Sequence, residues 1–342
     1  MKLIIQIPCY NETATLPAVL SDLPAHIPGL DTVETLVIDD GSTDDTAELA
    51  AALGVDHLIR HRGNKGLAIA FQTGIDACLR LGADIIVNTD GDHQYPGAAI
   101  PRLIAPILAD QADIVVGDRQ VGHIGHFSGR KKVLQKLGSW AVRVASDTDV
   151  PDAPSGFRAY SREAALRLYV TSEFSYTVEN LIQAGKRRLA VAHIPIETNP
   201  VTRPPRLHKG NWNFVKQQAG TIARTFTYYE PLRSFSYLAA PFFLIGLALL
   251  VRFFYVYLRG NAYQRLLQSV TIGASLLVIG FLIFVVGLLA DAVANHRRLT
   301  EEVLYRVRDM EDDEQIDDLA RRVEVLEWEL AAMRDGKSAR SL

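Results

Sequence analysis

Asn88-Thr89-Asp90-Gly91-Asp92-His93-Gln94 sets two carboxylates one residue apart, directly after the apolar run Ala83-Asp84-Ile85-Ile86-Val87. That run reads as a buried strand. Asp90 and Asp92 at its open end would form an electronegative notch. Hard divalent cations prefer such oxygen donors and often share themselves with substrate phosphates. Asp-x-Asp alone is common, and most copies are solvated turns, so the neighbours decide its meaning. A second acidic signal comes earlier, where Glu34-Thr35-Leu36-Val37-Ile38 reads as another buried strand and runs into Asp39-Asp40-Gly41-Ser42-Thr43-Asp44. The plain reading of Gly41-Ser42-Thr43-Asp44 is a tight turn in which Ser42 or Thr43 caps a helix. It does not explain why two carboxylates sit together at the strand end.

Certain elements must bring these carboxylates to one edge. Strand-like runs at residues 3–7, 34–38, 57–60, 83–87 and 112–116 alternate with helical patterns at 14–23, 45–53, 67–81 and 99–109, and a later strand is expected at 191–196. This alternation predicts an α/β fold with a mostly parallel, Rossmann-like sheet and helices on both faces. Ligands of open parallel sheets bind beyond the carboxyl ends of the strands. Asp39, Asp40, Asp90 and Asp92 belong on that edge, as does Pro8-Cys9-Tyr10-Asn11-Glu12 after the first strand.

The chain has 342 residues and a formal net charge of -3, which points to no nucleic-acid partner. Cys9 and Cys78 have no metal or redox spacing and fit a reducing compartment. The N-terminus does not read as a signal peptide. Residues 235–258 carry Arg252 as their sole charge and residues 266–290 carry none. A membrane span needs about 20 apolar residues. Both segments qualify, and nothing else in the chain could cover two such helices as buried core. The linker 259–265 is short enough for an antiparallel hairpin, with Arg252 able to snorkel to the headgroups. Arg203, Arg206, Lys209, Lys216, Arg224 and Arg233 precede the hairpin and Arg297, Arg298, Arg306 and Arg308 follow it, whereas the linker holds only Arg259 and Arg265. The positive-inside rule therefore predicts an integral membrane protein with both termini and the large soluble part in the cytoplasm.

Residues 207–233 interleave Trp212, Phe214, Phe226, Tyr228 and Tyr229 with basic residues, as amphipathic helices at a bilayer interface do. Ile316, Leu319, Val323, Leu326, Leu330 and Met333 alternate spacings of three and four, a short coiled-coil seam. It suits docking on the catalytic domain or self-association, and self-association is the favoured reading. The expected layout is a catalytic domain at 1–205, an interfacial segment at 206–233, a transmembrane hairpin at 234–292 and a cytoplasmic C-terminal helix at 293–342.

Ile7-Pro8-x-Tyr10-Asn11-Glu12, Asp39-Asp40-Gly41-Ser42, Asn64-Lys65-Gly66 and Asp90-x-Asp92-x-Gln94 together resemble the inverting glycosyltransferases of family 2, which have a GT-A fold. Asp152-Ala153-Pro154-Ser155-Gly156-Phe157-Arg158-Ala159 looks like the dolichyl-phosphate mannose synthase and polyprenyl-phosphate glycosyltransferase branch. The resemblance spans roughly residues 1–235. It implies a nucleotide-sugar donor, UDP- or GDP-linked, lined by Pro8, Tyr10, Glu12 and Asp39 or Asp40. It also implies Mg²⁺ or Mn²⁺ held by Asp92 with Asp90 and Gln94. Lys65 and the N–H groups around Gly66 are donor-binding candidates, although that turn also reads as a simple helix start.

The implied acceptor is polyprenyl or dolichyl phosphate. Its second pKa is near 6, so its oxygen is already largely anionic at neutral pH and scarcely needs a base. Cations that gather two anions should matter more, and Arg119, Arg130, Arg206 and Lys209 are the implied acceptor-phosphate residues, with Lys131, Lys132 and Arg158 as further cations. Asp152 occupies the place of the family's candidate catalytic carboxylate, and the expectation is that it orients a substrate. Some relatives carry an acid where this chain has Gly156, and the segment 203–211 also departs from the better-known members. Two other readings are carried alongside. One is transfer to a hydroxyl-bearing lipid, which would make Asp152 an indispensable base. The other is a non-catalytic membrane scaffold on the same fold.

Overall fold

The computed structural model describes residues 1–120, 142–143, 146–170, 176–199, 220, 223–224, 226–259, 267–296, 300, 303 and 305–307. Seven strands form one sheet: β1 (Lys2–Cys9), β2 (Thr32–Asp39), β3 (His57–Arg60), β4 (Ile85–Asn88), β5 (Ile114–Asp118), β6 (Arg158–Ser161) and β7 (Val191–Pro195). Their order is β3-β2-β1-β4-β6-β5-β7. All pairs are parallel except those of β6, which runs antiparallel to β4 and β5. The sheet is thus mostly parallel, as expected. The antiparallel β6 went unread because four residues beginning with an arginine give no apolar run.

Register sets the functional edge. Cys9 pairs with Asp39, and Gln6 pairs with Asn88 at the end of β4. The loops after β1, β2 and β4 therefore leave the sheet side by side. β1 is buried from Leu3 to Cys9, so it reads as a nearly continuous apolar run, broken only by Gln6, and not as an alternating one.

Helices α1 (Leu16–Asp22), α2 (Thr46–Ala52), α3 (Leu67–Arg80) and α4 (Ile100–Leu108) follow the first strands, and α5 (Arg162–Arg167) and α6 (Tyr176–Lys186) follow β6. Leu3, Ile5 and Ile7 pack with Leu16 and Val19 of α1 and with Ile100, Leu103 and Ile104 of α4. Each such fully buried side chain contributes about 1.5–3 kcal/mol. On the opposite face α3 approaches Gln6 at Gly74, where a Cβ would fall 2.2 Å from Gln6 Oε1. The closeness has a purpose. Gln6 Nε2 donates to Asn88 Oδ1 at 2.9 Å, and Asn88 Nδ2 donates to Gly156 O and Tyr176 Oη, both at 2.9 Å. Phe71 of α3 stacks on Tyr176 at 3.8 Å between centroids. A buried polar ladder thus ties β1 to the loop before β6.

The chain divides into two compact units, Met1–Asn211 with Glu302–Leu342, and Trp212–Glu301. The second holds two apolar helices, α7 (Pro231–Leu258) and α8 (Leu267–His296), of 28 and 30 residues, long enough to cross a membrane. Only 11% and 17% of their most apolar windows is buried, so neither is a core helix. They meet along glycines. A Cβ at Gly273 would lie 3.0 Å from Gly246 O, one at Gly280 3.2 Å from Phe242 Cβ, and one at Gly287 2.6 Å from Phe235 Cβ. Gly273, Gly280 and Gly287 recur every seven residues, one face of α8. Gly273→Leu is expected to force the helices apart at a cost of about 1–3 kcal/mol. Thermal unfolding in detergent would show it, and an unshifted transition would contradict this seam.

In the first unit Tyr305 Oη donates to Glu163 Oε2 of α5 at 3.0 Å, with Arg167 Cζ 4.8 Å from its ring centroid. Here the segment after the hairpin docks on the domain that carries the sheet. The seam at 316–333, Arg130, Lys131, Lys132, Arg203, Arg206 and Lys209 lie outside the described residues, as does most of the interfacial segment.

Candidate functional site

The loops after β1 and β2 are laced together before any ligand is considered. Asn11 adopts φ 57, and its Oδ1 accepts the Thr43 N–H at 2.8 Å while its own N–H donates to Ser42 Oγ at 2.9 Å. Asparagine tolerates this left-handed backbone better than most residues. Gly41 has φ +70, and a Cβ there would fall 2.4 Å from Gly63 C. Only glycine lets the β2 loop touch the turn after β3.

The two neighbouring aspartates have different work. Asp40 is buried and filled: Oδ1 receives His61 Nδ1 at 2.7 Å and the Lys65 N–H at 2.9 Å, and Oδ2 receives the Gly66 N–H at 2.8 Å. Two of the N–H groups expected to face a ligand at the start of α3 are therefore spent on Asp40, whereas the Lys65 side chain is exposed. Asp39 is fully buried; Oδ1 accepts the Ser42 N–H at 3.0 Å. Its Oδ2 lies 3.2 Å from Arg60 Nε as an ion pair but has no aligned hydrogen bond among the described residues.

The acidic notch lies next to this pair. Asp92 Oδ1 accepts the N–H of Gln94 at 3.1 Å, which closes a turn and leaves Asp92 half-buried. Asp90 sits against Gly156, where a Cβ would fall 3.0 Å from its Oδ1 and 3.1 Å from its Oδ2. Any larger residue at 156 would press on this carboxylate, so Gly156 makes room for Asp90. Burial first, then the charge of Asp92, pushes the Asp90 carboxyl up to about 7, with Arg119 opposing and Glu12 adding to the shift. Thr15 Oγ1 lies 2.8 Å from Glu12 Oε2 and 2.7 Å from Gly91 O, so Glu12 is tied into the same loop. Pro8 and Glu12 of the β1 motif thus border the notch, since a Cβ on Gly91 would fall 3.1 Å from Glu12 Cγ and 3.5 Å from Pro8 O, while Tyr10 beside them is exposed. Asp90 and Asp92 could together hold a divalent cation, since hard carboxylate oxygens suit Mg²⁺ or Mn²⁺. Gln94 reaches the notch through its backbone.

Arg119 and Asp152 form a bidentate pair. Arg119 Nε donates to Oδ2 at 2.7 Å, Nη2 to Oδ1 at 2.9 Å, and the Arg119 N–H to Oδ2 at 3.2 Å. The Asp152 side chain is 1% exposed. Both carboxylate oxygens are thereby engaged by one guanidinium in charge-assisted bonds. Arg158 is fully buried and donates to three backbone carbonyls, Ser155 O at 2.9 Å, Thr177 O at 2.8 Å and Ala153 O at 2.7 Å. It builds the loop that presents Gly156, and its guanidinium is consumed there. Tyr95 Oη accepts the Gly156 N–H at 3.3 Å, and burial pushes the phenol up to about 12, so it stays neutral.

The structure therefore gathers Pro8, Tyr10, Glu12, Asp39, Asp40, Lys65, Gly66, Asp90, Asp92, Gln94, Arg119 and Asp152 along one edge. Sequence reasoning missed His61, Thr73, Tyr95, Tyr176 and Asn199. Asn199 donates its N–H to Gln94 O at 2.9 Å and Nδ2 to His93 O at 3.0 Å, pinning the loop that carries the notch. These residues have no local pattern, since each partner lies far away in the chain.

The model of the family described as glycosyl transferase family 2 matches residues 4–168. The UDP-N-acetylglucosamine–dolichyl-phosphate N-acetylglucosaminyltransferase of Methanococcus voltae is 31% identical over 217 residues, 56% of this chain and 83% of that protein. The polyprenol monophosphomannose synthase of Mycolicibacterium smegmatis is 28% identical over 57% of this chain and 76% of its own length. The undecaprenyl-phosphate mannosyltransferase of Micrococcus luteus is 27% identical over 57% and 83%. Among solved structures, glucosyl-3-phosphoglycerate synthase from Mycobacterium tuberculosis, in complex with Mn²⁺, UDP-glucose and phosphoglyceric acid, has a TM-score of 0.52 at 22% identity, covering 66% of this chain and 78% of that one. That likeness concerns the fold, which is GT-A. The sequence relatives reach further, and from them the chain is a glycosyltransferase belonging to glycosyl transferase family 2.

Proposed function

We propose that this enzyme moves one sugar from a UDP- or GDP-linked donor to a polyprenyl-type lipid phosphate, inverting the anomeric centre, with its catalytic domain on the cytoplasmic face of a membrane. The observation that carries the choice of acceptor is the Arg119–Asp152 pair. A hydroxyl acceptor needs a general base, and the carboxylate in that position is buried and clamped by a guanidinium. A phosphate monoester is its own anion and needs none. The relatives named for polyprenol, dolichyl-phosphate and undecaprenyl-phosphate acceptors agree with this reading.

Asp90 and Asp92, with Gln94, would hold the divalent cation, which when bound neutralises the charge growing on the departing diphosphate. Asp39 is the better candidate of the two aspartates for a nucleotide N–H, because Asp40 is already filled by its own loop. Pro8, Tyr10 and Glu12 border the same space, and Lys65 extends from the turn beside it. Arg119 carries three N–H groups beyond those given to Asp152 through its side chain, enough to meet an acceptor phosphate at the notch. Arg130, Arg206 and Lys209 remain candidates for the same anion.

Two exposed apolar helices support insertion in a bilayer. The basic flanks and the grouping of Met1–Asn211 with Glu302–Leu342 in one compact unit support two crossings with both ends on the cytoplasmic side. The docking of Tyr305 on α5 favours a C-terminal segment that serves its own domain at that point.

Nucleotide release by the purified full chain, with Mg²⁺ or Mn²⁺ and a panel of UDP- and GDP-sugars, tests the reaction. Release from one donor that depends on added polyprenyl phosphate is expected. Release that depends instead on a diacylglycerol or ceramide would overturn the acceptor assignment.

A further inference from the structure

We infer that His61 is a positioning residue for the donor site, setting the place of Asp39 and Lys65 without touching the nucleotide itself. This rests on the donor reading above. His61 follows β3, and its N–H donates to the main-chain carbonyl of Asp39 at 2.9 Å, which ties its backbone to the end of β2 from which the Asp39 side chain extends. Its side chain is 5% exposed. Nδ1 lies 2.7 Å from Asp40 Oδ1, and Nε2 lies 3.2 Å from Thr73 Oγ1 on α3.

The hydrogen-bond roles follow from the partners. An ionised carboxylate only accepts, so Nδ1 carries the proton towards Asp40. In a neutral imidazole Nε2 is then an acceptor, and the Thr73 hydroxyl donates to it. Asp40 also receives the N–H groups of Lys65 and Gly66. A buried carboxylate is tolerated only when its oxygens are satisfied. Removing the His61 donor therefore loosens the carboxylate that holds the 64–66 turn.

That turn is in backbone contact with the β2 loop, since a Cβ on Gly41 would lie 2.7 Å from Asn64 N. Asp39, Asp40, the turn and the start of α3 thus move as one body, with His61 as the link between the sheet and α3. The geometry places no reacting group on His61, so its loss should weaken donor binding and spare the chemical step.

The test separates the two ring nitrogens in the full-length enzyme. In His61→Asn the amide nitrogen stands near Nδ1 and keeps the bond to Asp40. In His61→Gln it reaches the place of Nε2 and leaves Asp40 short of a donor. His61→Asn is expected to hold the donor KM within about twofold of wild type. His61→Gln is expected to raise it about tenfold, the worth of one hydrogen bond to a charged group. The kcat at saturating donor and the KM for lipid phosphate should stay within about threefold in both, since neither depends on that bond. Thr73→Val, which removes the hydroxyl that donates to Nε2 and steadies the ring, provides an independent arm and should raise the donor KM about threefold. Binding of UDP and GDP with Mn²⁺, measured by calorimetry, should follow the same order. An unmoved donor KM in both His61→Gln and Thr73→Val, equal losses in His61→Asn and His61→Gln, or a fall in kcat in place of the KM change overturns the inference alone. A wild-type enzyme that binds neither nucleotide overturns the donor reading, and the inference with it.

Discussion

Asp92→Asn is expected to lower metal-dependent nucleotide release by roughly 10²- to 10³-fold, the loss typical of removing one preorganised electrostatic group from a transfer site. The fold should survive. Asparagine retains the Oδ1 that accepts the Gln94 N–H, so the turn after β4 keeps its closing bond. What disappears is a negative charge beside Asp90, whose carboxyl is raised first by burial and then by Asp92 itself. Neutralising Asp92 relieves Asp90, so thermal stability in the absence of metal should hold or rise while the notch loses its grip on a cation. Manganese binding followed by electron paramagnetic resonance would report this without reference to turnover. Release within tenfold of wild type at the same metal concentration would argue against a cation at this notch.

The second large effect concerns Arg119 and Asp152, and here the expectation divides by partner. Arg119→Gln leaves a buried carboxylate that has lost the two hydrogen bonds from the guanidinium. Breaking one side of such a pair costs about 3–5 kcal/mol. Part of the activity loss should therefore appear as lowered unfolding temperature. Asp152→Asn keeps one oxygen for the guanidinium and should retain turnover to within about tenfold at an unchanged pH profile, because no proton passes through this carboxyl. The variant Arg119→Gln with Asp152→Asn should be less damaged than the sum of the two, as expected for residues in contact. Should Asp152→Asn fall as far as Asp92→Asn while its stability stays at the wild-type level, Asp152 is a base, and the hydroxyl-acceptor reading gains.

The accuracy of the sequence reading varied with the kind of signal. The strands β1, β2 and β4 were legible because a central parallel strand is buried on both faces and is written largely in consecutive apolar residues, such as Leu3–Ile5, Leu36–Ile38 and Ile85–Val87. Helices α1 to α4 were legible within about two residues, as expected for segments with one apolar face and clear ends. Strand β6 was not, and neither was α6, where Thr177, Glu179, Asn180 and Gln183 are buried by tertiary packing and disguise a core helix as a polar segment. The apolar helices were found from length and charge alone, but the glycines that join them at Gly246, Gly273 and Gly280 carried no weight until two helices were seen side by side.

The sequence by itself determined which chemistry was available. It placed Pro8 to Glu12, Asp39, Asp40, Asp90 and Asp92 at strand ends, and an open parallel sheet has only one edge where such ends meet ligands. It also marked two segments as long and apolar enough to cross a membrane, because a span of apolar residues needs no partner to be recognised. The tertiary structure alone decided how each charge is used. Asp40 turned out to hold its own loop through His61, 21 residues away, and Arg158 to hold backbone carbonyls, while Arg119 paired with Asp152 across 33 residues. The physical reason is that a carboxylate's role depends on its donors, and those donors arrive through strand register and loop closure. Local spacing records where a charge leaves the sheet; it does not record what meets it there.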